Sequence, residues 1–185
     1  MILGQSHIAF NCSDIEAATQ RLAEFGYSQR FDEPKLQNHP AKVPFLANYR
    51  SQHHIRAMAA EGAMSIELLD HGELIGAQCA ALIPVFRSRR IPCDWKPRSL
   101  DTLPISSDEL SSLVCSLGRQ PEAFYDPALS MTLLWILGED EPSGLYACIV
   151  TTSSPDLLKT LLGQLRFRPN TVGLWSLLTP LPALQ

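Results

Sequence analysis

No stretch of this chain approaches the roughly 18 uninterrupted apolar residues of a membrane-spanning helix, and no basic segment followed by an apolar run opens it. Neither a membrane partner nor a secretory leader is expected, and a cytoplasmic location is. Cysteine is sparse and irregular. Cys12, Cys79, Cys93, Cys115 and Cys148 form an odd set without a CxxC pair, which argues against a zinc ribbon or disulfide framework and for reduced thiols. Basic charge is short as well: fifteen Lys and Arg stand against nineteen Asp and Glu, for a formal net charge of -4. Nucleic-acid binding, which rests on neutralising many phosphates, is therefore not expected. The one basic cluster, "FRSRR" at 86–90, reads as a solvated strand end. GxGxxG, GxxxxGK[ST] and nucleophile-elbow glycine patterns are missing too, so nothing signals a dinucleotide fold, a P-loop or a Ser/His/Asp hydrolase.

What is there is an ordinary globular composition, 185 residues at 45% hydrophobic and 18% charged, enough for a sizeable core. Residues 5–12 alternate, with Ile8 and Phe10 on one face and His7, Ala9 and Asn11 on the other, as in a half-buried strand. Ser13 stands three residues before Glu16, a capping-box spacing, and Ile15, Ala18, Leu22 and Phe25 follow at helical intervals until Gly26. Residues 27–31 resume as a short strand, and "DEPKLQNHPAKVP" with its three prolines reads as a loop. Segments 53–59 and 63–69, joined by "AEG", predict a hairpin in which Met64, Ile66 and Leu68 share one face and Ser65 and Glu67 the other. The first 72 residues thus read βαβββ.

The middle of the chain has four prolines and no clean period between 76 and 104, then a capped helix in "SSDELSSLVCSLG", begun by Ser106 or Ser107 and stopped by Gly118. "SMTLLWILG" and "GLYACIVTTS" predict a second hairpin. Sliding the opening stretch by 140 positions lays Ser13 on Ser153, Leu22 on Leu162 and Tyr27 on Phe167, a repeat of pattern more than of identity. The expected organisation is a first module over 1–75, a Pro-rich insert with a short helix over 76–130, and an incomplete second module over 131–185.

"HIAFNCSDIEAATQRLAEFGY" followed some forty residues later by "GAMSIELLDH" resembles a module of the vicinal oxygen chelate superfamily, which includes glyoxalase I, extradiol dioxygenases and bleomycin-resistance proteins. The resemblance implies an α+β fold of paired βαβββ modules whose curved mixed sheets form a cleft, the second module shortened. It also implies metal ligands on the first and last strands of a module, which here are His7 and Glu67. Imidazole and carboxylate suit Fe(II), Mn(II), Zn(II) or Ni(II), and open coordination sites let a substrate chelate through two neighbouring oxygens. A glyoxalase-like lyase, isomerase or dioxygenase follows, with Glu67 also moving a proton. His7 aligns on Ala147, so the second module lacks its own ligand. Completion falls to His71, His53 or His54, or to a homodimer in which each chain contributes a His7 and a Glu67. Arg56 and Tyr49 are candidates for binding an anionic or aromatic small-molecule substrate. The competing expectations are a metal-free small-molecule binder and a degenerate module that only dimerises. Trp95, Trp135 and Trp175 are expected in a core or interface.

Overall fold

The computed structural model describes residues 7–46, 48–70, 80–139, 142–152, 156, 160, 167–169 and 175–177. These form two mixed sheets of four and five strands with few helices.

The first sheet is made by β1 (His7–Asn11), β2 (Ser28–Gln37), β3 (Gln52–Ala59) and β4 (Ser65–Asp70), in the order β1-β4-β3-β2. β1 runs parallel to β4, and β3 is antiparallel to both β4 and β2. The helix α1 (Ile15–Glu24) crosses between β1 and β2 and buries Ile15, Ala18 and Leu22 against Phe10, Met58, Ile66 and Leu68. Its cap is Asp14 rather than Ser13: the Asp14 carboxylate accepts from Ala17 N–H at 2.9 Å, and Glu16 is drawn instead into an ion pair with Arg56. Gly26 ends it at φ +83°, the left-handed geometry expected there.

β2 is longer than its sequence suggests and takes in the first half of the expected loop. Pro34 is accommodated because β2 is an edge strand and its register with β3 slips between Glu33 and Leu36, where no ladder N–H is needed. The remainder, Pro40–Phe45, is a 3-10 helix capped by His39.

The second sheet comprises β5 (Ala80–Ser88), β6 (Lys96–Arg98), β7 (Glu122–Asp126), β8 (Met131–Leu137) and β9 (Gly144–Thr152), ordered β6-β7-β8-β5-β9. The expected β8–β9 hairpin is not formed, because β5 lies between them, parallel to β8 and antiparallel to β9. Three of the five strands therefore come from the stretch read as an insert. The helix α2 (Ser107–Leu117) starts after Ser106 and stops at Gly118, φ +65°. Leu113 and Leu110 of α2 pack on the face of the sheet that carries Val85, Ala123, Leu134 and Ile136. A register slip at Tyr146 reverses the alternation of β9, so Leu145 joins one core while Ala147 and Ile149 join the other. A separate antiparallel pair joins β10 (Phe167–Pro169) to β11 (Trp175–Leu177). The expected repeat of the capped helix over 153–166 lies almost wholly outside the described residues.

The two sheets meet through the helix-side core of the first. Phe86, Phe124, Leu133 and Trp135 share one cluster with Phe10, Leu22 and Ile66, and the Phe25 ring stands 5.0 Å from Phe86 and 5.8 Å from Trp95. A buried charge cluster pins the same junction. The Asp126 carboxylate, with no exposed surface, lies 2.9 Å from Arg21 Nε and accepts from Trp95 Nε1 at 2.7 Å, while Arg21 also meets Asp94 and Glu24. Tyr27 Oη donates to Met64 O at 2.7 Å and accepts from Leu145 N–H at 2.9 Å, closing the seam. Among the described residues no helix is long and apolar enough to cross a membrane.

Candidate functional site

The first sheet has one face under α1 and one open. On β1 and β4, alternation sends Phe10, Ile66 and Leu68 to the helix and leaves His7, Ala9, Asn11, Ser65 and Glu67 on the open side. Because the strands are parallel with His7 opposite Ser65 and Ala9 opposite Glu67, His7 and Glu67 are diagonal neighbours. His7 Nε2 lies 3.8 Å from Glu67 Oε2, with the imidazole half exposed at 50% and the carboxylate 27% exposed. Two residues sixty positions apart are thus brought together on the same accessible surface.

Those donors fit a divalent ion in kind and nearly in spacing. Two ligands each at about 2.1 Å from one ion stand roughly 3.0–3.4 Å apart, so a small rotation of the half-exposed imidazole is sufficient. In number they fall short, since catalytic sites commonly use three protein ligands. Among the described residues no group of three or more His, Cys, Asp or Glu is placed to hold a metal ion. His54 turns to the helix side and bonds Asp32 at 2.7 Å, His53 is 5% exposed and sits four residues along β3 from Ala57, the partner of Glu67, and His71 lies outside the described residues.

Arg56 is not on this surface. It alternates with Met58 toward α1, where its guanidinium donates to Asp32 at 2.7 Å, Thr19 at 2.9 Å and Glu16 at 2.8 Å. Those bonds hold the Asp32 carboxyl down at about 2, with His54 as the second contributor, and lower that of Glu16. The signal was in the sequence: with Met58 inside, Arg56 two residues earlier must share its face. Tyr49 is half-buried in the loop after β2, donating to Asn38 O at 2.9 Å. The structure therefore brings His7 and Glu67 together, turns Arg56 to the opposite face of the sheet and places Tyr49 in the loop after β2.

The open face also carries apolar surface that the sequence reading did not single out. Phe31 and Leu36 on β2, exposed to 50% and 40%, stand opposite Ala57 and His53 in the register, on the same side as Glu67. A hollow of about 470 Å³ lined by Glu24, Phe25, Ser88, Arg89, Arg90 and Ile91 lies elsewhere, at the junction of the two sheets. The chain matches no protein-family model, no curated protein and no solved structure.

Proposed function

We propose that the chain is a glyoxalase-like, divalent-metal-dependent protein whose open sheet face holds the ion between His7 and Glu67. The observation that carries this is their convergence to 3.8 Å on an accessible surface. The order strand, helix, three strands, with β1 parallel to β4, supports reading the first sheet and α1 as one βαβββ module. The succession β5, β6, α2, β7, β8, β9, with β5 parallel to β8, supports a second, altered module beside it, in which β6 is an added edge strand.

When bound, a divalent ion such as Fe(II), Mn(II), Zn(II) or Ni(II) polarises the vicinal oxygens of a small substrate. His7 and Glu67 contribute one nitrogen and one or two oxygens, leaving room for such a substrate. Glu67, accessible and acceptor-only when ionised, is the group positioned to take a proton from a carbon beside those oxygens. The activity class is a lyase, isomerase or dioxygenase. A second copy, docking open face to open face, supplies the remaining ligands as its own His7 and Glu67.

Metal analysis tests the reading. Incubation with Mn(II), Fe(II), Ni(II) or Zn(II) followed by desalting should leave stoichiometric metal on the native protein and none on the His7→Ala, Glu67→Ala double variant. Equal retention by both, or retention by neither, overturns it. Phe31 and Leu36 favour a second reading, a metal-free binder of a planar small molecule on the same face; calorimetric binding of an aromatic compound that survives the double substitution supports it.

A further inference from the structure

The three arginines of the 86–90 cluster are used differently at the junction of the sheets. Arg87 Nε donates to Pro142 O at 3.2 Å, with its guanidinium 4.5 Å from the centre of the Tyr146 ring, and Arg89 donates to Glu139 O. Both hold the chain between β8 and β9 against the end of β5. Arg90 is exposed, and its guanidinium meets no acceptor among the described residues. Its backbone is nonetheless fixed: the buried Ser88 Oγ donates to Arg90 O at 2.7 Å and accepts from Trp135 Nε1 at 2.9 Å.

Arg90 lines the hollow of about 470 Å³ at this junction. A second hollow, of about 400 Å³, reaches to Gly26, Glu61 and Pro142, and the two share Glu24, Phe25 and Ser143. They form one trough past the C-terminal end of α1, with Phe25 along its floor. Among the described residues nothing but the immediate neighbours of Gly26 lies within 4 Å of where its Cβ would stand, so the trough is open there. Its walls are tied to each other. Pro142 takes the Arg87 bond and packs so closely on Gly62 that a Cβ there would fall 2.5 Å from Pro142 Cγ. Such a site is formed before a ligand arrives.

Charge divides the trough into two ends. The Glu24 carboxylate is met by Arg21 Nη1 at 2.6 Å. Glu61, in the turn between β3 and β4, is exposed and meets no cation among the described residues. One hollow therefore carries an uncompensated guanidinium and the other an uncompensated carboxylate, with the apolar surface of Phe25 common to both. We infer that the trough binds a short zwitterionic peptide, its C-terminal carboxylate on Arg90 and its N-terminal ammonium on Glu61. Guanidinium and carboxylate form charge-assisted, bidentate hydrogen bonds. A peptide of a few residues, at roughly 3.3–3.6 Å per residue, bridges two adjoining hollows, where a single amino acid reaches one end. None of the lining residues lies on the open face that carries His7 and Glu67, so the site does not depend on whether that pair binds metal.

Titration of trialanine into the full chain, followed by amide chemical shifts, tests this, with N-acetyl-trialanine and trialanine amide as companions. Saturable shifts should appear at residues 24–26 and 88–91, and blocking either end of the peptide should raise Kd about tenfold. Arg90→Gln should weaken trialanine by a similar factor yet leave the amide unchanged; Glu61→Gln should do the same while leaving the acetylated peptide unchanged. Both side chains are exposed, so neither substitution removes a packed group. The His7→Ala, Glu67→Ala double variant should bind as the native protein does. Absence of saturable shifts at those residues, equal binding of all three peptides, or an Arg90→Gln loss as large for the amide as for trialanine overturns the inference. So does acetate that saturates the same amides as tightly as trialanine, which identifies a plain anion site.

Discussion

Replacing Asp126 by Asn should be among the most damaging single changes in the protein. Its Oδ2 receives Trp95 Nε1 at 2.7 Å and stands 2.9 Å from Arg21 Nε, while Oδ1 receives Ala128 N–H at 2.8 Å and Leu129 N–H at 3.2 Å. An amide keeps one acceptor and turns a donor toward the indole or the two backbone groups. Each buried donor so orphaned costs about 1–3 kcal/mol. The lost countercharge to Arg21, itself only 4% exposed, is softened because Asp94 and Glu24 remain in contact. The sum is roughly 3–4 kcal/mol, the scale on which breaking a buried ion pair usually falls. For a chain of this size that is a drop in Tm of roughly 6–16 °C. Urea unfolding followed by tryptophan fluorescence should show a lower midpoint at unchanged slope. Combined with Arg21→Met, the loss should be at least ~1 kcal/mol smaller than the sum of the singles, because the two sites are coupled. A Asp126→Asn penalty under ~1 kcal/mol, or strict additivity, would refute the argument.

Other outcomes follow from single sites. Asp32 is held at about 2 against an ordinary 3.8, so its share of stability is present above pH 3.8 and lost as pH falls toward 2. After discounting for solvent screening that share is ~1 kcal/mol, and Asp32→Asn should flatten the acid limb of the stability profile by as much. Cys12 and Cys148 are pushed up to about 12, chiefly by burial, whereas Cys93 and Cys115 are exposed. At pH 8, mass-mapped alkylation should label Cys93 and Cys115 well before Cys12 and Cys148. Gly144 has φ +129°, and a Cβ there would lie 2.8 Å from Ala63 Cβ and 2.9 Å from the Tyr27 ring. Gly144→Ala should therefore cost about 2 kcal/mol or more in thermal unfolding.

The opening half of the fold was legible because its strands have unlike faces. The family resemblance is what pairs His7 with Glu67; alternation adds only that both fall on polar positions of strands whose apolar positions point inward. The cap slipped by one residue, from Ser13 to Asp14, since both side chains suit the role. β5 resisted reading because Pro84 stands within a central strand, where proline is not expected. Its ladder with β8 begins only at Val85, one residue past the missing N–H. With β5 unrecognised, β8 and β9 had no visible third strand to separate them. The Arg21 cluster left a fainter trace: Arg21 sits with Ala18, Leu22 and Phe25 on the apolar stripe of α1, and a cation there demands distant acids. Nothing local names Asp94 and Asp126 as those acids.

The placement of Arg21 and Phe25 bears on how the chain is made. Both are synthesised early, yet the Phe86 and Trp95 rings that cover Phe25 emerge some sixty to seventy residues later and Asp126 some hundred residues after Arg21, waits of roughly 3–14 s and 5–20 s at about 5–20 residues per second. Until then the nascent first sheet holds an uncovered ring at the end of α1 and a guanidinium met only by the neighbouring Glu24, so a ribosome stalled before residue 86 would present a sticky half-molecule to the chaperones around the exit tunnel.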